Sequence, residues 1–329
     1  MKKFINHVDT LLDESLRGFA KAHQDLVDLN PEPRFVRRRQ PPSAGKVALI
    51  SGGGAGHEPL HTGFVGRGML DAACPGQVFT SPTPDQMLSA AQAVESGGGV
   101  LFIVKNYAGD VMNFEMAAEM LDCPVETVLV QDDISLPREH EIGRRGVAGT
   151  LVVEKILGAA AEEGADLGRL KSLGDRVADA TVSIGVALSG CTVPALGGPT
   201  FDLPPDKTEI GVGIHGEHGR EVADFASATE IVKTLCVAIE EEIRPSPGQK
   251  VLLHVNGLGS TTLMELYLVY ELAHEFWTRL GVAVHRSLVG NYTTALDMAG
   301  CSLTLTLLDD ELIRLWDAPV LTPALRWGC

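Results

Sequence analysis

No stretch of this 329-residue chain holds 18 consecutive apolar residues, which excludes the pattern of a membrane-spanning helix. Basic residues are scarce too: 27 Lys and Arg against 43 Asp and Glu leave a formal charge of −16. Nucleic-acid and anionic-membrane surfaces need basic patches, so neither partner is expected. The basic cluster Arg37-Arg38-Arg39 lies among Pro31, Pro33, Pro41 and Pro42 and reads as a solvated loop. The six cysteines are at least 28 residues apart, so C-x-x-C redox and zinc-knuckle spacings are missing. Charged residues rather than an apolar signal core follow Met1-Lys2-Lys3-Phe4-Ile5-Asn6-His7, and the thiols are expected to be buried and reduced in a cytoplasmic protein. Both common nucleotide cradles are lacking. Gly45-Lys46 runs into Val47 without the earlier glycine of a G-x-x-x-x-G-K-[ST] loop; Gly52 and Gly54 are spaced as in G-x-G-x-x-G, but His57 takes the third position. Gly257-Leu258-Gly259 lacks a third glycine as well.

What the chain has in excess is glycine, 36 residues clustered at the ends of apolar runs, where α/β enzymes build their sites. The length predicts two domains, each large enough for its own core. Residues 8–22 carry a helical apolar stripe. Residues 46–50 predict a buried strand feeding a glycine loop over 51–57. Pro84 in a first helical turn opens a helix reaching about Glu95. A strand over 100–104, a helix over 111–121, a strand over 125–130, a polar loop to Gly149, and helices over 150–162 and 167–180 follow. Beyond Ser183, strands are expected over 184–188, 208–214, 251–255, 282–289 and 303–308, with helices over 227–242 and 261–280. The expectation is an α/β fold of two α/β domains with mixed sheets: residues 1–182, carrying the glycine loop, His57 and Asp110, and residues 183–329, carrying His215.

The glycine-rich strand ends carry titratable side chains. His57 ends the first glycine loop, with Glu58 behind it. Lys105 and Asp110 end the strand over 100–104, and His215 lies in Gly211-Val212-Gly213-Ile214-His215-Gly216-Glu217-His218-Gly219. Strand C-terminal ends line the ligand crevice of α/β sheets, so this set supplies acid/base chemistry to a polar pocket. Each residue has a plainer reading: His57 as a cap on backbone groups, Asp110 as the N-cap of the following helix. His215 and His218 with Glu217 between them have metal-ligating types, but not the helical H-E-x-x-H arrangement, so no metal is expected. His61 reads as a packing or solvent-facing residue. Met112, Met116 and Met120, at i, i+4 and i+8, read as a core stripe.

Taken in order, these segments resemble one family. Gly52-Gly53-Gly54-Ala55-Gly56-His57-Glu58-Pro59, Gly68-Met69-Leu70-Asp71-Ala72-Ala73, Phe79-Thr80-Ser81-Pro82-Thr83-Pro84-Asp85, Lys105-Asn106-Tyr107 with Gly109-Asp110, Gly143-Arg144-Arg145-Gly146, Ile214-His215-Gly216-Glu217 and Val255-Asn256-Gly257-Leu258-Gly259 resemble the substrate-binding K subunit of dihydroxyacetone kinases. The resemblance implies the K-subunit fold and a His215 that binds the ketone covalently as a hemiaminal. It implies Asp110 as acceptor of the hydroxyl proton during attack on phosphorus, and His57 as the partner that hydrogen-bonds the substrate and assists the adduct. Lys105 and the amides of Gly54, Ala55 and Gly56 are implied as the groups holding substrate oxygens. No cofactor is implied on this chain. ADP or ATP with Mg2+ is expected on a separate L subunit, recharged by a phosphocarrier subunit of the phosphotransferase system, and the chain is expected as a homodimer.

Two residues depart from the family pattern: Ala55 where serine is frequent, and His218 where proline often follows the glutamate. Both bear on substrate preference. A kinase subunit for another small ketose or a tetritol, and a ketose-sensing regulatory paralogue, therefore stay open as alternatives. A lipid-binding protein of similar two-domain architecture is the weakest alternative, since it needs no nucleophilic histidine.

Overall fold

In a computed structural model of the chain, residues 2–137, 140 and 143–329 are described. Met1, and residues 138, 139, 141 and 142 of the polar loop expected before Gly149, lie outside the described residues. The chain divides into two compact units, one of Met1–Val130, Val152–Arg176 and Arg314–Cys329, the other of Gln131–Leu151 and Val177–Ile313. The sequence pattern offers one boundary near residue 182; the chain instead passes between units four times. A change in local pattern marks where strand and helix types alternate, but it carries no trace of a segment returning from far along the chain.

The first unit begins with α1 (Leu11–Ala22) and a hairpin of β1 (Val27–Pro31) and β2 (Arg34–Arg38). β3 (Ala48–Ala55), β4 (Ala72–Val78), α2 (Pro84–Val94), β5 (Val100–Lys105), α3 (Ala108–Glu119) and β6 (Val125–Val130) follow. The sheet order is β1-β2-β4-β3-β5-β6, parallel from β4 to β6 and antiparallel at β1 and β2. α2 starts as expected, with Pro84 in the first turn and a capping box between Thr83 and Gln86.

Two expectations are corrected here. The arginine cluster is no solvated loop: Arg37 and Arg38 lie in β2, and Arg38 is buried against Asp71 (3.0 Å) and Glu162 (2.7 Å). Its acidic partners are 33 and 124 residues away along the chain, beyond the reach of a local reading. The methionine stripe is not core either. Met112, Met116 and Met120 are 56%, 48% and 56% exposed, while Phe114 and Ala117 on the opposite face are buried. Both faces of α3 satisfy helical periodicity, and periodicity alone does not choose between them.

Between the sheets in chain order come α4 (Gly149–Glu162) and α5 (Leu167–Asp179). The second unit holds β7 (Thr181–Ala187), a short antiparallel pair of β8 (Thr192–Val193) and β9 (Gly198–Pro199), β10 (Lys207–Ile210) and β11 (Glu221–Asp224). Next come α6 (Ala228–Ile243), β12 (Lys250–Gly257), α7 (Leu263–Arg279), β13 (Ala283–Gly290) and β14 (Gly300–Leu308). Its sheet runs β11-β10-β7-β14-β12-β13, with β12 and β13 parallel and the other neighbours antiparallel. Ser227 and Thr262 cap α6 and α7, each boxed with a glutamate three residues on. The strand expected over 208–214 stops at Ile210, because Gly211 takes a φ of +81°. α8 (Asp310–Asp317) and the two-residue strands β15 (Val320–Leu321) and β16 (Arg326–Trp327) complete the chain. The fold is thus α/β with one mixed six-stranded sheet in each unit, as the pattern predicts.

Candidate active site

The glycines expected in a loop after the first buried strand are the C-terminal half of that strand: β3 continues through Gly52, Gly53, Gly54 and Ala55. Their lack of side chains is a matter of space. A Cβ on Gly52 would stand 2.6 Å from the Cys74 carbonyl oxygen, and one on Gly54 2.6 Å from the Thr80 amide nitrogen. A Cβ on Gly53 would fall on the Lys105 ammonium. Glycine here lets β3 pass close to its neighbours and leaves room for a buried lysine.

Lys105, the last residue of β5, is 1% exposed. Its Nζ donates to the Gly52 carbonyl (3.0 Å), faces His61 Nε2 at 2.8 Å and lies 3.5 Å from Asp110 Oδ2. On its far side His61 meets Glu154 Oε1 of α4 through Nδ1, at 2.6 Å, with Ser51 Oγ 3.0 Å away. Burial, then the charges of Lys105 and His57, push His61 well below the usual imidazole range, so the ring is neutral. An ammonium has no acceptor, so Nε2 accepts from Lys105 and the single ring proton sits on Nδ1, donated to Glu154. Burial pushes the Glu154 carboxyl up to about 8, against the opposing pull of the Lys105 charge and the Ser51 hydroxyl. His61 is therefore buried and hydrogen-bonded on both nitrogens, more than the packing or solvent-facing residue expected.

Asp110 sits in the first turn of α3, but the N-cap position belongs to Tyr107 and the Asp110 carboxylate faces Lys105. The capping alternative is thereby set aside. His57 is buried, its ring stacked on Phe79 at 5.0 Å and 17°. Phe79 holds a φ of +56°, a conformation that L residues rarely adopt. The Gly56 amide donates to the Glu58 carboxylate at 3.1 Å. In this unit the fold brings Gly53, Lys105 and Asp110 together, with Ala55 buried at the end of β3.

His215 belongs to the second unit, past the end of β10. Its main-chain N–H donates to Glu217 Oε2 (2.9 Å), and its Nδ1 lies 2.8 Å from Glu217 Oε1. Burial would raise the Glu217 carboxyl, but the hydrogen bond and charge of His215 and the charge of Arg145 outweigh it and hold it down at about 2. An ionised carboxylate only accepts, so the Nδ1 that faces Glu217 carries a proton. Behind Glu217 stands Arg145, 4.0 Å from Oε2, itself bound to Asp133 (2.8 Å), Ser135 (2.6 Å) and the Gly211 carbonyl (2.9 Å). His218 is exposed, 3.5 Å from Glu209. Among the described residues, no group of three or more His, Cys, Asp and Glu side chains is placed to hold a metal ion.

The sequence reading singled out none of Ser51, Asp133, Arg145 or Glu154 for chemistry. Glu154 carries the clearest signal: with Lys155 it forms a charged pair inside the apolar helix stretch Leu151-Val152-Val153 and Ile156-Leu157, and both are buried.

Residues 17–324 match the Dak1 domain family. The chain is 46% identical over 356 aligned positions, covering all of both proteins, to the PEP-dependent dihydroxyacetone kinase, dihydroxyacetone-binding subunit DhaK of Escherichia coli strain K12. Among solved structures it is similar to the dihydroxyacetone kinase operon co-activator Dha-DhaQ, with a TM-score of 0.90 and 35% identity over 94% of this chain and 97% of that one. It is also similar to the dihydroxyacetone kinase of C. freundii in complex with AMP-PNP and Mg2+, with a TM-score of 0.87 and 37% identity over 98% of this chain and 60% of that one.

Proposed function

Because the chain belongs to the Dak1-domain family, we propose that it is the dihydroxyacetone-binding subunit of a dihydroxyacetone kinase. The observation that carries this reading is the Glu217–His215 pair, in which the carboxylate takes the Nδ1 side of the ring, so that Nε2 is the nitrogen that would add to a carbonyl carbon. In the proposed reaction Nε2 bonds to the ketone carbon and the carbon–oxygen π bond breaks. The Nδ1 proton passes through Glu217 to solvent, solvent returns one proton to the carbonyl oxygen, and the resulting hemiaminal is neutral and carries a hydroxyl. This addition requires a carbonyl and therefore rejects glycerol, which differs from dihydroxyacetone by two hydrogens. His57 hydrogen-bonds the substrate and assists the addition. Lys105 and the main-chain amides of Gly54, Ala55 and Gly56 hold its oxygens, the Gly56 amide exchanging its Glu58 carboxylate acceptor for the substrate. Asp110 then accepts the proton of the terminal hydroxyl as that oxygen attacks phosphorus.

The phosphoryl donor is assigned to a partner. Nucleotide with Mg2+ sits on a separate L subunit, with phosphoenolpyruvate as the ultimate source through a phosphocarrier subunit. Two facts support this: neither nucleotide cradle occurs in the chain, and the C. freundii kinase with AMP-PNP and Mg2+ is longer than the region matched. Exposed Met264, Tyr267 and Leu268 on α7 support a homodimer. No helix among the described residues is long and apolar enough to cross a membrane, and the buried thiols of Cys74, Cys236 and Cys301 support a cytoplasmic location.

Native mass spectrometry after incubation with dihydroxyacetone tests the reading. The expected result is a mass increase equal to the ketone, missing in His215→Ala, which also abolishes turnover in the reconstituted kinase. A folded His215→Ala protein with full activity overturns it. The likeness to an operon co-activator favours a second reading, a ketose-binding regulator; this predicts the adduct without turnover.

A further inference from the structure

We propose that Glu154 and His61 are positioning residues that aim the Lys105 ammonium through one buried hydrogen-bond chain, Glu154–His61–Lys105. This rests on the reading of Lys105 and Asp110 as substrate-facing groups.

The geometry of the ammonium leads to it. Lys105 Nζ has three hydrogens. The Gly52 carbonyl at 3.0 Å and His61 Nε2 at 2.8 Å take two of them. The third is thereby directed toward Asp110 Oδ2, 3.5 Å away, too far for a strong bond and open to a substrate oxygen sharing the same carboxylate. His61 performs this role in only one of its neutral tautomers, and Glu154 Oε1 reinforces that tautomer by accepting from Nδ1, most strongly when the carboxyl is ionised.

The cost of the arrangement supports a positioning role over simple packing. Ser51, His61, Lys105 and Glu154 are all at most 5% exposed, and Glu154 Oε2 has no hydrogen-bond partner among the described residues. Around it α4 contributes Leu151, Val152, Val153, Ile156 and Leu157, all buried. An apolar residue in place of Glu154 would spare the desolvation of an acid that is left half satisfied. The charged and titratable groups facing this chain are Lys105, His57, Asp110 and Glu154, with the Ser51 hydroxyl beside the ring.

Glu154 titrates near 8, so its ionisation above that pH strengthens the acceptor for His61 Nδ1–H and with it the hold on Lys105. In the reconstituted kinase, kcat/KM for dihydroxyacetone is expected to rise through a step near pH 8. Glu154→Gln keeps an acceptor oxygen but not the charge, and is expected to remove that step while folding normally. His61→Asn removes the acceptor for Lys105 and is expected to lower kcat at least tenfold, with the ketone adduct on His215 still formed. Glu154→Gln with the wild-type pH profile overturns the proposal. Independently of any variant's folding, 15N spectra of the wild-type protein labelled at histidine are expected to show His61 neutral and protonated at Nδ1; a ring protonated at Nε2, or charged at neutral pH, also overturns it. The two readings fail separately. A missing adduct in the wild type sinks the functional reading, whereas an intact adduct with an unchanged Glu154→Gln profile sinks only the positioning role.

Discussion

At Glu154 the protein keeps an acid where its fold would be more stable without one, and pH exposes that cost. The carboxyl is raised from an ordinary 4.5 to about 8, first by burial. In the unfolded chain it ionises near 4.5, while the folded protein holds its proton until about 8, so folding stability falls as pH rises across that window and levels off above it. At about 1.4 kcal/mol per pH unit, the loss is on the order of 5 kcal/mol. Glu154→Gln has no such dependence. Its melting temperature should therefore exceed that of the wild type by more at pH 8.5 than at pH 5, a comparison thermal melts make directly. An equal difference at both pH values would mean that the carboxyl ionises normally in the fold. Gly53 makes the complementary point. Its missing Cβ is the space that Lys105 occupies, so Gly53→Ala should expel the ammonium from its acceptors. Breaking a buried ionic contact costs roughly 3–5 kcal/mol, and kcat should collapse while the adduct on His215 still forms.

Among the elements, α3 shows where a sequence pattern runs out. Phe114 packs edge-on against Phe102 of β5, ring centroids 5.1 Å apart, and is buried, whereas Met116 two residues on is half-exposed. Phe114→Ala should cost roughly 3–5 kcal/mol by leaving a cavity, and Met116→Lys should stay within about 0.5 kcal/mol. Urea denaturation of the two variants separates them; a large loss in Met116→Lys would put the methionine face in the core after all. Elements with a strong period or a continuous β-branched run, such as β5, β6, β12 and α6, are legible along the chain. β4 is not: Ala72-Ala73-Cys74-Pro75-Gly76-Gln77-Val78 has poor strand formers, and pairing with the glycines of β3 makes it a strand. The candidate site divides in the same way. His57, Lys105, Asp110 and His215 stand at the ends of apolar runs and announce themselves. Glu154 reaches His61 from 93 residues away, and Arg145 reaches the Gly211 carbonyl across 66, so their roles exist only once the chain is folded.

For the whole molecule, a charge of −16 and a chain without a common phosphate cradle fit the proposed role of holding a small neutral acceptor. A three-carbon ketone offers few atoms for recognition, so under the proposed mechanism discrimination comes from the bond it forms rather than from contact area. Ligand binding then appears as stability. A ligand at 100 times its Kd adds about 2.7 kcal/mol to the folded state, enough to raise the melting temperature of a protein this large by several degrees. Dihydroxyacetone should produce that rise and glycerol at the same concentration should not. His215→Ala should lose the rise while melting near the wild-type temperature without ligand, because His215 is partly exposed beyond the end of β10 and anchors no core cluster. A panel of three- and four-carbon ketoses in the same assay ranks the substrates that Ala55 and His218 admit. Equal stabilisation by glycerol would sink the covalent account, because a polyol with no carbonyl cannot form the adduct.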